Sequence, residues 1–237
     1  MSHFPIEQFE GVATPFYYYD VALLRRTLDS VCAARPADSI VHYALKANSN
    51  PRLLRMIAHA GLGADCVSGG EIAIAVECGF EPRKIVYSGV GKTDDEIRLA
   101  LSVGIDCFNV ESLAELEVIN ALAGDMGKTA PVAIRVNPHI DAHTHHYITT
   151  GLSENKFGID ISQLFDVIGQ IHRMADVRFR GLHFHIGSQI TSMQPYEQLC
   201  STIAQLQAEL DARGIDIDYI NVGGGLGVNY EAPDEHL

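Results

Sequence analysis

Short apolar runs alternate with longer stretches whose apolar residues recur every three or four positions, and the alternation continues through almost the entire chain. The short runs read as strands at Ile40–Leu45, Gly63–Val67, Lys84–Tyr87, Asp106–Val110, Val132–Val136, Gly181–Ile186 and Asp218–Val222. Helical periodicity covers Val21–Ala34, Pro51–Ala60, Gly70–Cys78, Asp94–Ser102, Leu113–Ala123, Ile161–Arg173 and Met193–Arg213. Strands separated by helices predict a parallel sheet with right-handed crossovers, an α/β architecture. Seven strands fall between the two common forms: an open doubly wound sheet usually has fewer, and a closed barrel has eight. Asn137–Lys156 is the longest irregular stretch and reads as a functional loop.

Composition narrows the class. At 237 residues, 47% hydrophobic and 20% charged, the chain has the size and balance of one globular domain. A net charge of −13 disfavours nucleic acid and anionic membranes, which require a basic face. No run approaches the roughly 18 to 20 apolar residues of a membrane span, and Met1–Glu10 lacks the pattern of a signal peptide. Cys32, Cys66, Cys78, Cys107 and Cys200 are odd in number, scattered and without a C-x-x-C pair, which suits a reducing, cytoplasmic setting.

In parallel α/β proteins the carboxyl ends of the strands carry the chemistry. Lys46 ends an apolar strand in His42–Asn48, where partial desolvation would favour a neutral amine suited to Schiff-base formation. A solvated strand-end lysine is the plainer alternative. Gly223-Gly224-Gly225-Leu226-Gly227 follows the last strand, and consecutive glycine amides there are able to cradle a phosphate. The run is out of register with G-x-G-x-x-G, and a tight turn without ligand explains it equally simply. His183 and His185 share one strand face by i, i+2 spacing, so either a zinc site or an imidazole stacked on a planar cofactor is open, with Ser188 placed to bond a phosphate. No further metal ligands are evident at the other strand ends, and no metal is expected. His139, His143, His145 and His146 crowd the long loop and read as its solvated part. Zincin, P-loop and nucleophile-elbow motifs are absent. A lysine, a stacking histidine and a phosphate-binding glycine run together describe a pyridoxal-phosphate site.

With those residues in view, the chain resembles the fold-type III pyridoxal-phosphate enzymes, and among them the diaminopimelate decarboxylases. The resemblance is carried by Tyr43-Ala44-Leu45-Lys46-Ala47-Asn48, by Asp65-Cys66-Val67-Ser68-Gly69-Gly70-Glu71 and by Arg135-Val136-Asn137-Pro138. It continues through Asn155-Lys156-Phe157-Gly158, His185-Ile186-Gly187-Ser188-Gln189 and Val222-Gly223-Gly224-Gly225. It implies a (β/α)8 TIM-like barrel of the alanine racemase type, truncated after about seven strands, with residues 1–237 forming an incomplete cofactor-binding barrel domain. It implies pyridoxal 5'-phosphate held by Lys46, with His185 against the ring and Ser188, Gly223, Gly224 and Gly225 at the phosphate. Asp65, Glu71 and Arg135 would line the cofactor. The implied reaction converts meso-diaminopimelate to L-lysine in a homodimer.

Family members continue into an eighth strand with a Glu-Pro-Gly-Arg motif and then a β-rich domain. The resemblance therefore implies that the chain made alone decarboxylates poorly or not at all. Two alternatives stay open beside it: a stand-alone pyridoxal-phosphate-binding homeostasis barrel, and a decarboxylase of ornithine, arginine or carboxynorspermidine. A metal-dependent hydrolase built on His183 and His185 is a more distant third.

Overall fold

The computed structural model describes residues 5–140 and 157–231. Its centre is a curled sheet of seven parallel strands in sequential order: β1 (His42–Ala44), β2 (Gly63–Cys66), β3 (Ile85–Tyr87), β4 (Cys107–Val110), β5 (Ala130–Asn137), β7 (Val177–His183) and β8 (Tyr219–Asn221). A two-residue strand, β6 (Ile159–Asp160), pairs with the carboxyl end of β5 alone. The helices are α1 (Val21–Ala34), α2 (Pro51–His59), α3 (Gly69–Glu77), α4 (Asp94–Val103), α5 (Leu113–Asp125), α6 (Leu164–Ile171) and α7 (Gln194–Ala212). This is the truncated TIM-like barrel that the resemblance implies: the described strands end with β8, and β1 and β8 are the edges. None of the helices among the described residues is long and apolar enough to cross a membrane.

Strand alternation sorts the side chains into two sets. Cys66, Tyr87, Phe108, Val110, Ile134 and Leu182 point outward and are buried in the main apolar cluster with the helices. Pairing aligns the other set across the inner face: Asp65 with Val86, Val86 with Cys107, Asn109 with Ala133, and Arg135 with His183. The lower part of that face is apolar, with Val86, Cys107 and Ala133 packed against Tyr219. The upper part is polar.

Each of the seven strands has a boundary one residue or more from the sequence expectation, and β7 is displaced furthest. The expected strand Gly181–Ile186 is displaced to Val177–His183, and its leading residues were hidden by charge. Arg178 and Arg180 are paired: Arg180 reaches Asp106 at 2.6 Å and Asp218 at 2.8 Å, while Arg178 approaches Asp218 at 3.4 Å. Arg180 also lies over the Tyr219 ring, so both charges are accommodated within a strand. β5 likewise starts two residues earlier than expected, at Ala130, where it pairs with Val177. Of the long loop Asn137–Lys156 only Asn137–Ile140 is described; His143, His145 and His146 lie outside the described residues.

Helix starts follow from local chemistry. Ser68 accepts from the Glu71 N–H and Ser112 from the Glu115 N–H, each at 3.2 Å, and Thr93 with Glu96 forms a reciprocal capping box. These caps place the ends of β2, β3 and β4 and the helices that follow them. Gly181 marks the tightest strand contact. A Cβ there would lie 1.8 Å from the Tyr219 carbonyl oxygen, at a φ of +156°. Gly181→Ala is therefore expected to cost about 3 kcal/mol of stability in urea unfolding; an unfolding curve like the parent's would contradict this packing.

Candidate functional site

At the carboxyl ends of β2 to β5 the inner-face polar residues connect to one another. Ser88 donates to Asp65 Oδ1 at 2.8 Å and accepts from Asn109 Nδ2 at 3.0 Å. Arg135 Nη1 lies 2.9 Å from both oxygens of Glu111, and Gly89 N–H donates to the same carboxylate at 3.2 Å. The Phe157 ring lies against the Arg135 guanidinium at 5.6 Å. Arg135 is thus held on two sides in a nearly dry setting, with its side chain 11% exposed.

A second buried pair stands behind this row. Lys92, with a side chain 1% exposed, donates to the Gly89 carbonyl at 2.7 Å, the Asn109 carbonyl at 2.9 Å and Glu115 Oε1 at 2.6 Å. Glu115 Oε2 accepts from Glu111 N–H at 2.8 Å. Burial pushes the Glu115 carboxyl above its ordinary range, against the pull of Lys92. The pair closes the orphan carbonyls at the ends of β3 and β4 and so fixes the backbone that carries Glu111. Neither residue stood out in the sequence as a candidate; the Ser112-x-x-Glu115 spacing was the available signal.

The other half of the mouth is built from the loops after β7 and β8. β7 ends at His183, so His185 lies two residues beyond the strand and is half-buried, whereas His183 is buried; the two do not share a strand face as expected from their spacing. Burial, with Arg135, His185 and Lys92 nearby, drives the His183 imidazole well below its ordinary pKa and keeps it neutral. Among the described residues no group of three His, Cys, Asp or Glu side chains is arranged to hold a metal.

The three glycines have different jobs. A Cβ on Gly223 would meet the Phe184 carbonyl oxygen at 2.3 Å, and one on Gly225 would meet that of Gly187 at 2.0 Å. Both are required by the close approach of the two loops, and both have positive φ. Gly224 has no neighbour within 4 Å of its Cβ position. The Gly223 amide is already used, donating to Asn221 Oδ1 at 2.8 Å. The glycine run is therefore partly a packing device, and Gly224 is its open member.

Lys46 lies in a short 3-10 turn (Leu45–Ala47) directly after β1, exposed, with its charge close enough to favour ionisation of Asp65. Glu71 does local work, its Oε2 accepting from the Val67 N–H at 2.8 Å. Lys46 and Arg135 both favour ionisation of Asp65 by their charge, while Arg135 and His185 act against a charge on His183. Burial outweighs the Ser88 hydrogen bond and the Lys46 charge at Asp65, and holds its carboxyl above the ordinary 3.8. A carboxyl raised on folding binds its proton more tightly in the native state, so its contribution to stability falls as pH rises from the unfolded value through the folded one. Asp65→Asn, which keeps an acceptor for Ser88, is expected to flatten that fall in urea midpoints as pH rises above the ordinary 3.8. A variant curve parallel to the parent's would contradict the assignment.

The comparisons with known proteins bear on the family and the fold. Residues 22–237 match the family described as "Pyridoxal-dependent decarboxylase, pyridoxal binding domain". A diaminopimelate decarboxylase of Bacteroides thetaiotaomicron is 55% identical over 234 residues, covering 98% of this chain and 60% of that protein. The structure of Helicobacter pylori diaminopimelate decarboxylase complexed with L-lysine superposes with a TM-score of 0.89 at 43% identity, over 95% of this chain and 58% of that one. The lysine/ornithine decarboxylase of Vibrio vulnificus complexed with putrescine is more distant, at a TM-score of 0.79 and 26% identity over 95% of this chain and 56% of that one. The chain spans between about half and three-fifths of the relatives it matches. A parallel half-barrel with a strand-end lysine, and a family match over nearly its full length, place the chain in the pyridoxal-dependent decarboxylase family, as its pyridoxal-binding domain.

Proposed function

We propose that this chain binds pyridoxal 5'-phosphate at the carboxyl ends of its strands, and that the full protein decarboxylates meso-diaminopimelate to L-lysine. One observation carries the cofactor reading. Four of the five lysines are described, and three of those four are committed: Lys84 to Glu81, Lys92 to its three acceptors and Lys128 to the Leu101 carbonyl. Lys46 alone among the described lysines makes no hydrogen bond or ion pair to a described residue, and it stands at the site.

The residues present fit a pyridoxal group. Asn109 Oδ1 and His183 Nδ1 are buried without a hydrogen-bond partner among the described residues, so polar capacity is left over on the inner face. Gly224 leaves space where a side chain would otherwise stand. When bound, the cofactor ring withdraws the electrons left on the substrate carbon as carbon dioxide departs. Lys46 would supply the amine that holds the pyridoxal aldehyde carbon. His185 would lie against the ring, and Ser188 with the amides of Gly224 and Gly225 would receive the phosphate. Gly223 would contribute its turn, since its own N–H already goes to Asn221. Arg135, locked by Glu111, would offer a fixed positive charge beside Asp65. Glu71 would act through the Val67 backbone that it holds.

The substrate assignment rests on similarity to relatives named diaminopimelate decarboxylase, at 55% identity, against 26% for the lysine/ornithine enzyme. The same reading makes the working form a homodimer. The full-length gene product is expected to release carbon dioxide from meso-diaminopimelate at least about 100-fold faster, in kcat/KM, than from ornithine or arginine, a difference of about 2.7 kcal/mol in transition-state binding. Comparable rates on the three would overturn the substrate assignment while leaving the cofactor site standing. Gly224→Ala is expected to unfold like the parent yet bind pyridoxal phosphate about ten-fold more weakly, because the methyl group enters only the phosphate space. Unchanged affinity would place the phosphate elsewhere.

A further inference from the structure

The two loops that form the β7–β8 side of the mouth are joined by a side chain acting as a piece of backbone. Gln189 Nε2 donates to the Val228 carbonyl at 2.7 Å, and its Oε1 accepts from Val228 N–H at 2.9 Å. The primary amide thereby reproduces both halves of a peptide pairing. It continues a short parallel contact in which Ile190 N–H donates to the Gly225 carbonyl at 2.8 Å and Gly227 N–H to the Ile190 carbonyl at 2.9 Å. Gln189 holds this position with a φ of +58°, a backbone conformation that a residue with a side chain adopts only at a cost.

Backbone this unfavourable persists where the surrounding contacts over-determine it. Here those contacts tie the segment carrying Ser188 to the segment carrying Gly224 and Gly225. We propose that Gln189 is a positioning residue for the phosphate end of the cofactor: its two-way amide bond sets Ser188 at a fixed separation from Gly224 and Gly225. This rests on the cofactor reading above and adds a residue that touches neither cofactor nor substrate. The chemistry requires a primary amide, because the contact needs one donor and one acceptor a side chain's length away.

The test compares pyridoxal phosphate with pyridoxal, which lacks the phosphate, by fluorescence titration of the full-length apoprotein. The variants are Gln189→Gly, which relieves the backbone and removes the amide, and Gln189→Asn. Asparagine tolerates the same φ and keeps the amide but is one methylene too short. Both are expected to weaken pyridoxal phosphate about three- to ten-fold while leaving pyridoxal unchanged, so that the preference between the two ligands shrinks. A merely structural role would weaken both ligands together. That result, or a preference equal to the parent's in both variants, overturns the assignment of Gln189 alone. A parent protein with no preference for the phosphorylated ligand overturns the cofactor reading and this assignment with it.

Discussion

A parallel sheet covered by helices buries every second side chain against those helices, and the alternate side chains must fill the inside of its curl. In this chain the lower inner positions are filled by Val86, Cys107, Ala133 and Tyr219, and the upper ones by Asp65, Ser88, Asn109, Arg135 and His183. Charged groups in so dry a place survive only when matched, since an unpaired buried charge is far costlier than a matched one. The contact of Arg135 Nη1 with both oxygens of Glu111 is where that requirement is met most fully, and the rest of the mouth is arranged around it. Gly89 N–H supports Glu111 from one side, and Lys92 with Glu115 secures the backbone beneath. A buried ion pair adds little net stability compared with apolar packing, but it holds a guanidinium in one place. Fixing a charge beside Asp65 is of use to a binding site.

The mouth is built in two halves of different character. On the β2–β5 side the order comes from side chains: a row of hydrogen bonds and ion pairs joined across neighbouring strands. On the β7–β8 side it comes from backbone: glycines at 223 and 225 let the chain approach carbonyls that a Cβ would strike, and Gln189 imitates a further rung. His183 belongs to both, pairing with Arg135 in register and with Asn221 on the other side. Its neutral imidazole fits a site already supplied with cations by Arg135 and Lys92.

Much of this was legible in the sequence because the strand and helix periods are clean. The parallel order, the lysine closing β1 and the glycine run after β8 all follow from pattern and position. Charge concealed part of the rest, and distant backbone contacts concealed the remainder. Arg178 and Arg180 look like loop residues until Asp106 and Asp218 are seen beside them, so β7 was placed too late. Lys92 lies in a polar turn whose sequence gives no sign that its amine is buried among three acceptors. The duties of Gly223 and Gly225 depend on carbonyls nearly forty residues away, at Phe184 and Gly187, which no local reading supplies. Gln189 is likewise ordinary in sequence and unusual only through its φ and its partner.

The central claim is that Lys46 is the amine committed to the cofactor. It is tested most directly by incubating the full-length gene product with pyridoxal phosphate, reducing with borohydride and mapping the pyridoxyl group by peptide mass spectrometry. The account predicts stoichiometric modification of Lys46, abolished in Lys46→Ala, with the other four lysines of residues 1–237 left unmodified. A label on Lys92 or Lys156, or one distributed over surface lysines, would contradict it.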